Sequence, residues 1–316
     1  MSQGEASVEA VRSAALHLLS MHEDQPRDCA DDDDVYVEDV DRVRASDPWL
    51  RRFLEDADGD AQAAAQAVVH SLREQRRLQL RSLTQTCFPE DLWRLDCQRL
   101  LSARDGRPVL LLRLKYLRRE AEVRAVVRAL TAFHVWRLEQ AVCDSQADGA
   151  LLLLDWTGLA PAAFDLPSCL FVLSLRHVFP RLLRRLLLLR VPWFARPFAH
   201  AVRLAFRRSP CSVQLLGDVT SLREVIAPEQ LPTYLGGCCP APAVPVGAAD
   251  TRSFARRTLG LSEEQAQRLL RLASQLLHAF PEDHAAPLPA PPVAVPPTPA
   301  REFLDCVIND KMHFRR

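Results

Sequence analysis

The chain reads as an α/β protein with a helical N-terminal part. Two observations predict this. Between residues 109 and 217, short apolar runs (Val109–Leu114, Ala150–Leu154, Leu186–Val191 and Val213–Gly217) are separated by stretches with helical spacing. Upstream, from Val35 to Trp93, apolar residues recur at helical spacing. Apolar strands that alternate with helices build a sheet covered on its faces by those helices.

Taken in order, residues 1–34 open with a weakly amphipathic stretch and end in Asp31-Asp32-Asp33-Asp34. They are expected to form a solvated, flexible acidic lead-in. Asp47-Pro48 predicts a helix start, with Asp47 as N-cap and Pro48 in the first turn. Trp49, Leu50, Phe53 and Leu54 follow at helical spacing. Asp60 is placed to cap the next helix, whose stripe is Ala64, Ala67, Val68 and Leu72. Arg104-Asp105-Gly106-Arg107-Pro108 is a turn, and the strand Val109–Leu114 follows it. The run from Glu120 to Val142 is helical, and Ala150–Leu154 is a buried strand ending at Asp155-Trp156. A helix over Leu166–Phe179, a strand over Leu186–Val191, a helix over Pro192–Phe206 and a strand over Val213–Gly217 complete the alternation. Beyond Gly237 the Pro-rich segments 240–245 and 287–299 predict extended linkers. Between them Leu261–Phe280 is an amphipathic helix, with Ser262 and Gln265 as its capping box.

Composition narrows the function. Forty basic and forty acidic residues cancel, so no global charge favours nucleic acid as a partner. The cancellation hides a segregation: Leu166–Gly217 holds nine arginines and no Asp or Glu. Nine scattered cysteines and an N-terminus carrying Glu5 and Glu9 predict a reduced, cytoplasmic setting without a secretory signal. No apolar run approaches the roughly 20 residues that span a bilayer. Catalysis finds no support. The chain has no Gly-x-Ser-x-Gly elbow, dinucleotide fingerprint or phosphate-binding loop, and His17 and His22 lack metal-site spacing. The expectation is no enzyme, no catalytic residue, no metal and no cofactor, with a small-molecule hydrolase as a remote rival.

Three segments together resemble the CRAL-TRIO (Sec14-like) lipid-binding family. They are Asp47-Pro-Trp-Leu-Arg-Arg-Phe-Leu54, Leu151-Leu-Leu-Leu-Asp155-Trp-Thr-Gly158, and the run from Ser221 through Leu231-Pro232 to Gly236-Gly237. The resemblance covers roughly residues 35–237. It implies a helical N-terminal lobe (35–98) and a lipid-binding domain (99–240) whose mixed β-sheet and flanking helices enclose an apolar cavity. Residues 241–316 would then be a Pro-rich linker with one amphipathic helix, closed by a strand at 303–314 that resembles the opening of a truncated major-sperm-protein domain.

What the resemblance implies about function is a lipid carrier. Burying an acyl chain yields about 0.8 kcal/mol per methylene, so a dry cavity can hold one lipid. By sequence alone the leucine runs read first as the packing of a solid core, and only the resemblance reverses that. The resemblance instead assigns Leu152, Leu154, Leu187 and Leu189 to the cavity, and Trp193, Phe194, Phe198, Val202 and Phe206 to a gate. Arg196, Arg203, Arg207 and Arg208 would dock the protein on an anionic membrane surface. Asp155, Leu231, Pro232, Gly236 and Gly237 are structural, Asp155 as a turn cap. Members that transfer phosphatidylinositol carry an acid and a lysine at the positions of Arg181 and Ser212, and phosphatidylcholine binders carry hydroxyls at Ala150 and Leu152. Neither set is present, so the lipid is left unnamed. The family implies peripheral attachment to endomembranes such as the endoplasmic reticulum, with contact-site proteins as possible partners. The alternative is a ligand-free CRAL-TRIO scaffold that mediates protein interactions at membrane contact sites.

Overall fold

A computed structural model describes residues 3–23, 35–207 and 209–279. The expectations on Asp31–Asp34, Arg208, the Pro-rich segment 287–299 and the strand at 303–314 lie outside those residues. In chain order the helices are α1 (Gln3–Glu23), α2 (Val37–Ala45), α3 (Asp47–Asp56), α4 (Ala61–Arg77), α5 (Glu90–Leu95) and α6 (Ala121–Ser145). They continue with α7 (Leu166–Val178), α8 (Arg196–Ala205), α9 (Val219–Arg223), α10 (Thr251–Arg257) and α11 (Glu263–Ala279). The strands are β1 (Gln98–Ser102), β2 (Pro108–Arg113), β3 (Ala150–Asp155), β4 (Leu183–Leu189) and β5 (Ser212–Leu216). The chain divides into two compact units, residues 1–84 with 169–182 and residues 85–168 with 183–316.

The first unit is helical. Its core joins Trp49, Leu50 and Phe53 of α3 to Ala64, Val68 and Leu72 of α4, and takes in Val8, Val11 and Ala15 of α1. For residues 3–23 this replaces the expectation of a flexible lead-in, while the acidic run that follows lies outside the described residues. Val11 is 0% exposed, and the weak amphipathicity of the segment had hidden a narrow stripe of small apolar residues that fits the groove over α4. Arg12 of α1 pairs with Asp47 and Glu9, and its Nε donates to the Val43 carbonyl at 3.2 Å. Asp47 is the first residue of α3 and not its N-cap, which is Ser46 and makes no side-chain capping bond. Asp60 does cap α4, accepting from the Gln62 and Ala63 N–H groups at 2.9 and 3.1 Å. From α4 Ser71 Oγ donates to the Val178 carbonyl of α7 at 2.6 Å.

The second unit holds the sheet, ordered β1-β2-β3-β4-β5. β1 and β2 are antiparallel, and β2 through β5 run parallel. β1 was not expected. Gln98-Arg99-Leu100-Leu101-Ser102 has no clean alternation, and its identity as a strand comes from pairing with β2 across the Arg104–Pro108 turn. One face of the sheet packs Leu111, Leu151, Leu153, Leu187 and Leu189 against Leu222, Ile226, Leu231 and Leu235 of the segment after β5. Toward the other face Gln98 Nε2 donates to Thr131 Oγ1 of α6 at 2.8 Å. The capping box of α11 is closed in both directions. Ser262 N–H donates to Gln265 Oε1 at 2.9 Å, and Gln265 N–H donates to Ser262 Oγ at 3.3 Å. Leu276 of α11 packs with Leu95 and Tyr116.

Candidate functional site

The site grows from the C-terminal ends of β4 and β5, where parallel sheets leave room for ligands. β4 stops at Leu189 because Arg190 takes a left-handed backbone, φ 55°, while its N–H donates to the Leu216 carbonyl at 2.8 Å. Pro192 then leads into a short 3-10 turn, Trp193–Ala195, and Pro197 sits in the first turn of α8. α8 is sharply two-sided. Phe198, Ala199, Ala201 and Val202 are buried, as is Phe206 after its end. Arg196, His200, Arg203, Leu204 and Arg207 are exposed. At 3.6 residues per turn, positions 196, 200 and 203 share one stripe, and Arg207 follows in the turn after the helix.

The buried side of α8 rests on an aromatic cluster. Phe198 lies 5.9 Å from Trp156 and 6.0 Å from Phe164 between ring centroids, and Phe194 is 6.2 Å from Phe164. Trp156 is buried, and its Nε1 has no hydrogen-bond partner. On the other side of α8 an open pocket of about 500 Å³ lies between the helix and strands β4 and β5. Its apolar wall is Leu188, Val191, Leu215 and Leu216. Its basic wall is Arg190, Arg196, His200 and Arg203, and no acidic residue lines it. Arg190 does sit within electrostatic reach of Asp155, whose pKa burial raises, and of Asp218, whose pKa the Ser221 N–H lowers, and acts on both only as a minor counter-charge.

The nine-arginine block is thus partly neutralised and partly not. Arg181 pairs with Glu55 (Nε to Oε2, 3.0 Å), and Arg184 pairs with Asp148. Arg196 and Arg203 pair with no described acidic side chain. Trp193, Leu204 and Leu215, 45%, 47% and 46% exposed, surround the same region.

The cavity leucines chosen from the sequence do not share a face. The parallel register sets Leu152 beside Leu186 and Leu154 beside Leu188, while Leu153 pairs with Leu187 and Asp155 with Leu189. Leu152 and Leu154 therefore belong to the face of Leu188, which lines the pocket. Leu187 and Leu189 are corrected to the opposite face, packed under Leu231 and Leu235. The residues that belong with Leu152 and Leu154 are Leu186, Leu188 and Leu215. Runs of consecutive leucines carry no period-2 signal, so register alone separates the faces. Arg190 and His200 were also missed; the i, i+4, i+7 spacing of Arg196, His200 and Arg203 was the signal available for His200.

Beside the site, Asp155 accepts from the Thr157 N–H at 2.9 Å and closes the turn after β3. Burial raises the Asp155 pKa and pushes the neighbouring Lys115 down to about 8. Arg113 stacks over the Tyr234 ring at 3.6 Å, tying β2 to the segment that carries Leu231 and Pro232. That segment folds tightly: Gly237 N–H donates to the Pro232 carbonyl at 3.1 Å, and Cys239 N–H to the Leu231 carbonyl at 2.9 Å.

Residues 102–237, from the end of β1 to this double glycine, match the sequence profile of the CRAL/TRIO domain. This segment is similar to the CRAL/TRIO domain. The fold agrees with it: the chain is similar to the crystal structure of Sfh5, with a TM-score of 0.50 over 88% of this chain and 98% of that one, at 13% identity. No curated protein matches the chain in sequence. The matched segment holds β2 to β5, α6 to α9 and every residue of the pocket. No described helix is long and apolar enough to cross a membrane.

Proposed function

We propose that the CRAL/TRIO domain holds one membrane lipid between α8 and the Leu152–Leu154–Leu186–Leu188 face of the sheet, and that the protein docks reversibly on membranes while loading or releasing it. The observation that carries the reading is α8. Its apolar side covers the Trp156–Phe164 cluster, and its basic side borders an open pocket floored by Leu188 and Leu215. Lifting such a helix would open the apolar face. The unpartnered Trp156 Nε1 beneath it would then gain an acceptor if a lipid ester oxygen entered. Exposed Trp193 and Leu204, interleaved with Arg203 and Arg207, suit an interface where rings and aliphatic chains meet lipid and guanidinium groups meet headgroups. The role is that of a carrier or sensor, with no chemical step.

Native mass spectrometry of the purified protein tests this directly. A stoichiometric bound lipid is the expected result. A chain that stays empty after exposure to mixed lipid vesicles would replace the carrier with a scaffold that docks protein partners. The motifs Val35-Tyr-Val-Glu-Asp-Val-Asp-Arg-Val43, Arg113-Leu-Lys-Tyr116 and Val191-Pro-Trp193 resemble motile sperm domain-containing protein 2. On that resemblance alone we extend the proposal to an endomembrane location, at the endoplasmic reticulum, with contact-site partners. Fractionation of the tagged protein checks it, and recovery away from that membrane would remove it.

A further inference from the structure

Resting on the lipid-binding reading, we infer that the pocket between α8 and β5 takes a phosphate monoester headgroup, so that the preferred lipid is a phosphatidic-acid-like anion. Three arginines and a histidine meet there from two elements. Arg190 follows β4, and Arg196, His200 and Arg203 form one stripe of α8. Arg196 and Arg203 have no described carboxylate partner, so an incoming anion would not have to displace one. Arg190 is the exception in part, since Asp155 and Asp218 share its field.

Guanidinium groups bind phosphate oxygens through two parallel N–H bonds, which a point charge cannot reproduce. A phosphate monoester carries nearly two negative charges at neutral pH. Three arginines suit that better than they suit the single charge of a diester or carboxylate. The left-handed backbone of Arg190 is an unfavoured conformation for any residue with a β-carbon, held by its bond to Leu216, and such strain gathers at binding sites. The opposite wall decides between a lipid and a free phosphate. Leu188, Val191 and Leu215 are apolar, and Leu215 is half exposed although it faces a cleft rather than bulk water alone. A headgroup on the basic wall would leave its glycerol and acyl carbons on the apolar one. A volume of about 500 Å³ accommodates a headgroup with the first part of its chains.

Binding of three probes to the full chain is the test: dioctanoyl phosphatidic acid, dioctanoylglycerol and inorganic phosphate, each titrated by calorimetry. The acid should bind at least about tenfold more tightly than the neutral lipid, and phosphate at least about a hundredfold more weakly than the acid. Arg196→Gln with Arg203→Gln, both exposed positions, should erase the preference while leaving the neutral lipid unchanged. Arg203→Lys should keep only part of it. Equal binding of the two lipids, or a preference that survives the double substitution, overturns the headgroup assignment and leaves the lipid carrier standing. Phosphate binding as tightly as the acid overturns the lipid source. Absence of binding by either lipid overturns the carrier reading and this inference with it. If the double variant loses only adsorption to anionic vesicles, with the soluble probes unaffected, the arginines serve the leaflet and the pocket assignment is wrong.

Discussion

At Gly237 a β-carbon would come within 2.1 Å of the Leu231 carbonyl oxygen and 2.5 Å of the Leu231 Cβ. Its backbone is not left-handed, so space alone demands glycine there. Gly236 differs: its φ is +68°, and an added β-carbon would meet only the mobile end of Arg223 at 2.8 Å. Gly236→Ala should therefore cost about 1–2 kcal/mol for the backbone conformation. Gly237→Ala should cost about 3 kcal/mol or more, because the Leu231 main chain must move. Gly237→Asp should leave no folded protein at 37 °C. Denaturant titration orders the variants, and equal losses at the two glycines would show that the close approach to Leu231 is wrong.

The same scale holds a pH effect. Burial, helped by the Arg137 charge, pushes the His134 imidazole down from 6.5 to about 4. Its Nδ1 lies 3.1 Å from Gln98 Oε1, within the interior between α6 and β1. As pH falls through 6.5 the unfolded chain takes up a proton that the folded chain refuses until about 4. Stability is therefore lost between pH 6.5 and 4, by an amount on the order of 3 kcal/mol. Wild-type protein should lose that much more than His134→Gln when both are melted across this range. Parallel curves would mean that the imidazole is not held neutral.

At the scale of elements, α8 is the part whose two sides have different tasks. Each arginine near an anionic leaflet contributes roughly 1 kcal/mol, and inserting an exposed tryptophan adds a comparable or larger amount. Trp193→Ala combined with Arg207→Glu should weaken adsorption to phosphatidylserine vesicles at least about tenfold, with binding that falls as salt rises. Arg51→Glu, an exposed arginine in α3, is the control and should change little. Arg12 and Arg42 would be poor controls. Arg12 braces α1 against α3, and Arg42 covers the Trp49 ring at 4.5 Å. Cosedimentation in which the Trp193/Arg207 variant and the Arg51 variant behave alike would place the docking surface elsewhere.

For the molecule as a whole, α1 is the unexpected structural member. Val8 and Val11 are fully buried in the first unit, each worth about 1.5 kcal/mol on removal from water. A chain lacking residues 1–23 should lose about 3 kcal/mol and melt roughly 5–10 °C lower. Calorimetry settles the point; an unchanged melting temperature would return α1 to the status of a solvated lead-in.

What the sequence determined by itself was the alternation of apolar runs and helices, and hence the α/β class. It also determined the caps at Asp60 and at Ser262 with Gln265, because a cap depends only on residues within one turn of it. The double glycine after Leu231-Pro232 was legible too, although only coordinates separate the backbone need of Gly236 from the steric need of Gly237. Tertiary structure decided the rest, wherever the deciding partner is remote in the chain. β1 exists because β2 pairs with it, and α1 is ordered because α4 offers it a groove. The two faces of the leucine-rich strands diverge because a one-residue difference in register reverses every side chain. The stripe of Arg196, His200 and Arg203 is a local helical pattern, but Arg190 joins it in one basic wall only after α8 packs beside the end of β5. That return is long-range packing, and no local pattern of residues encodes it.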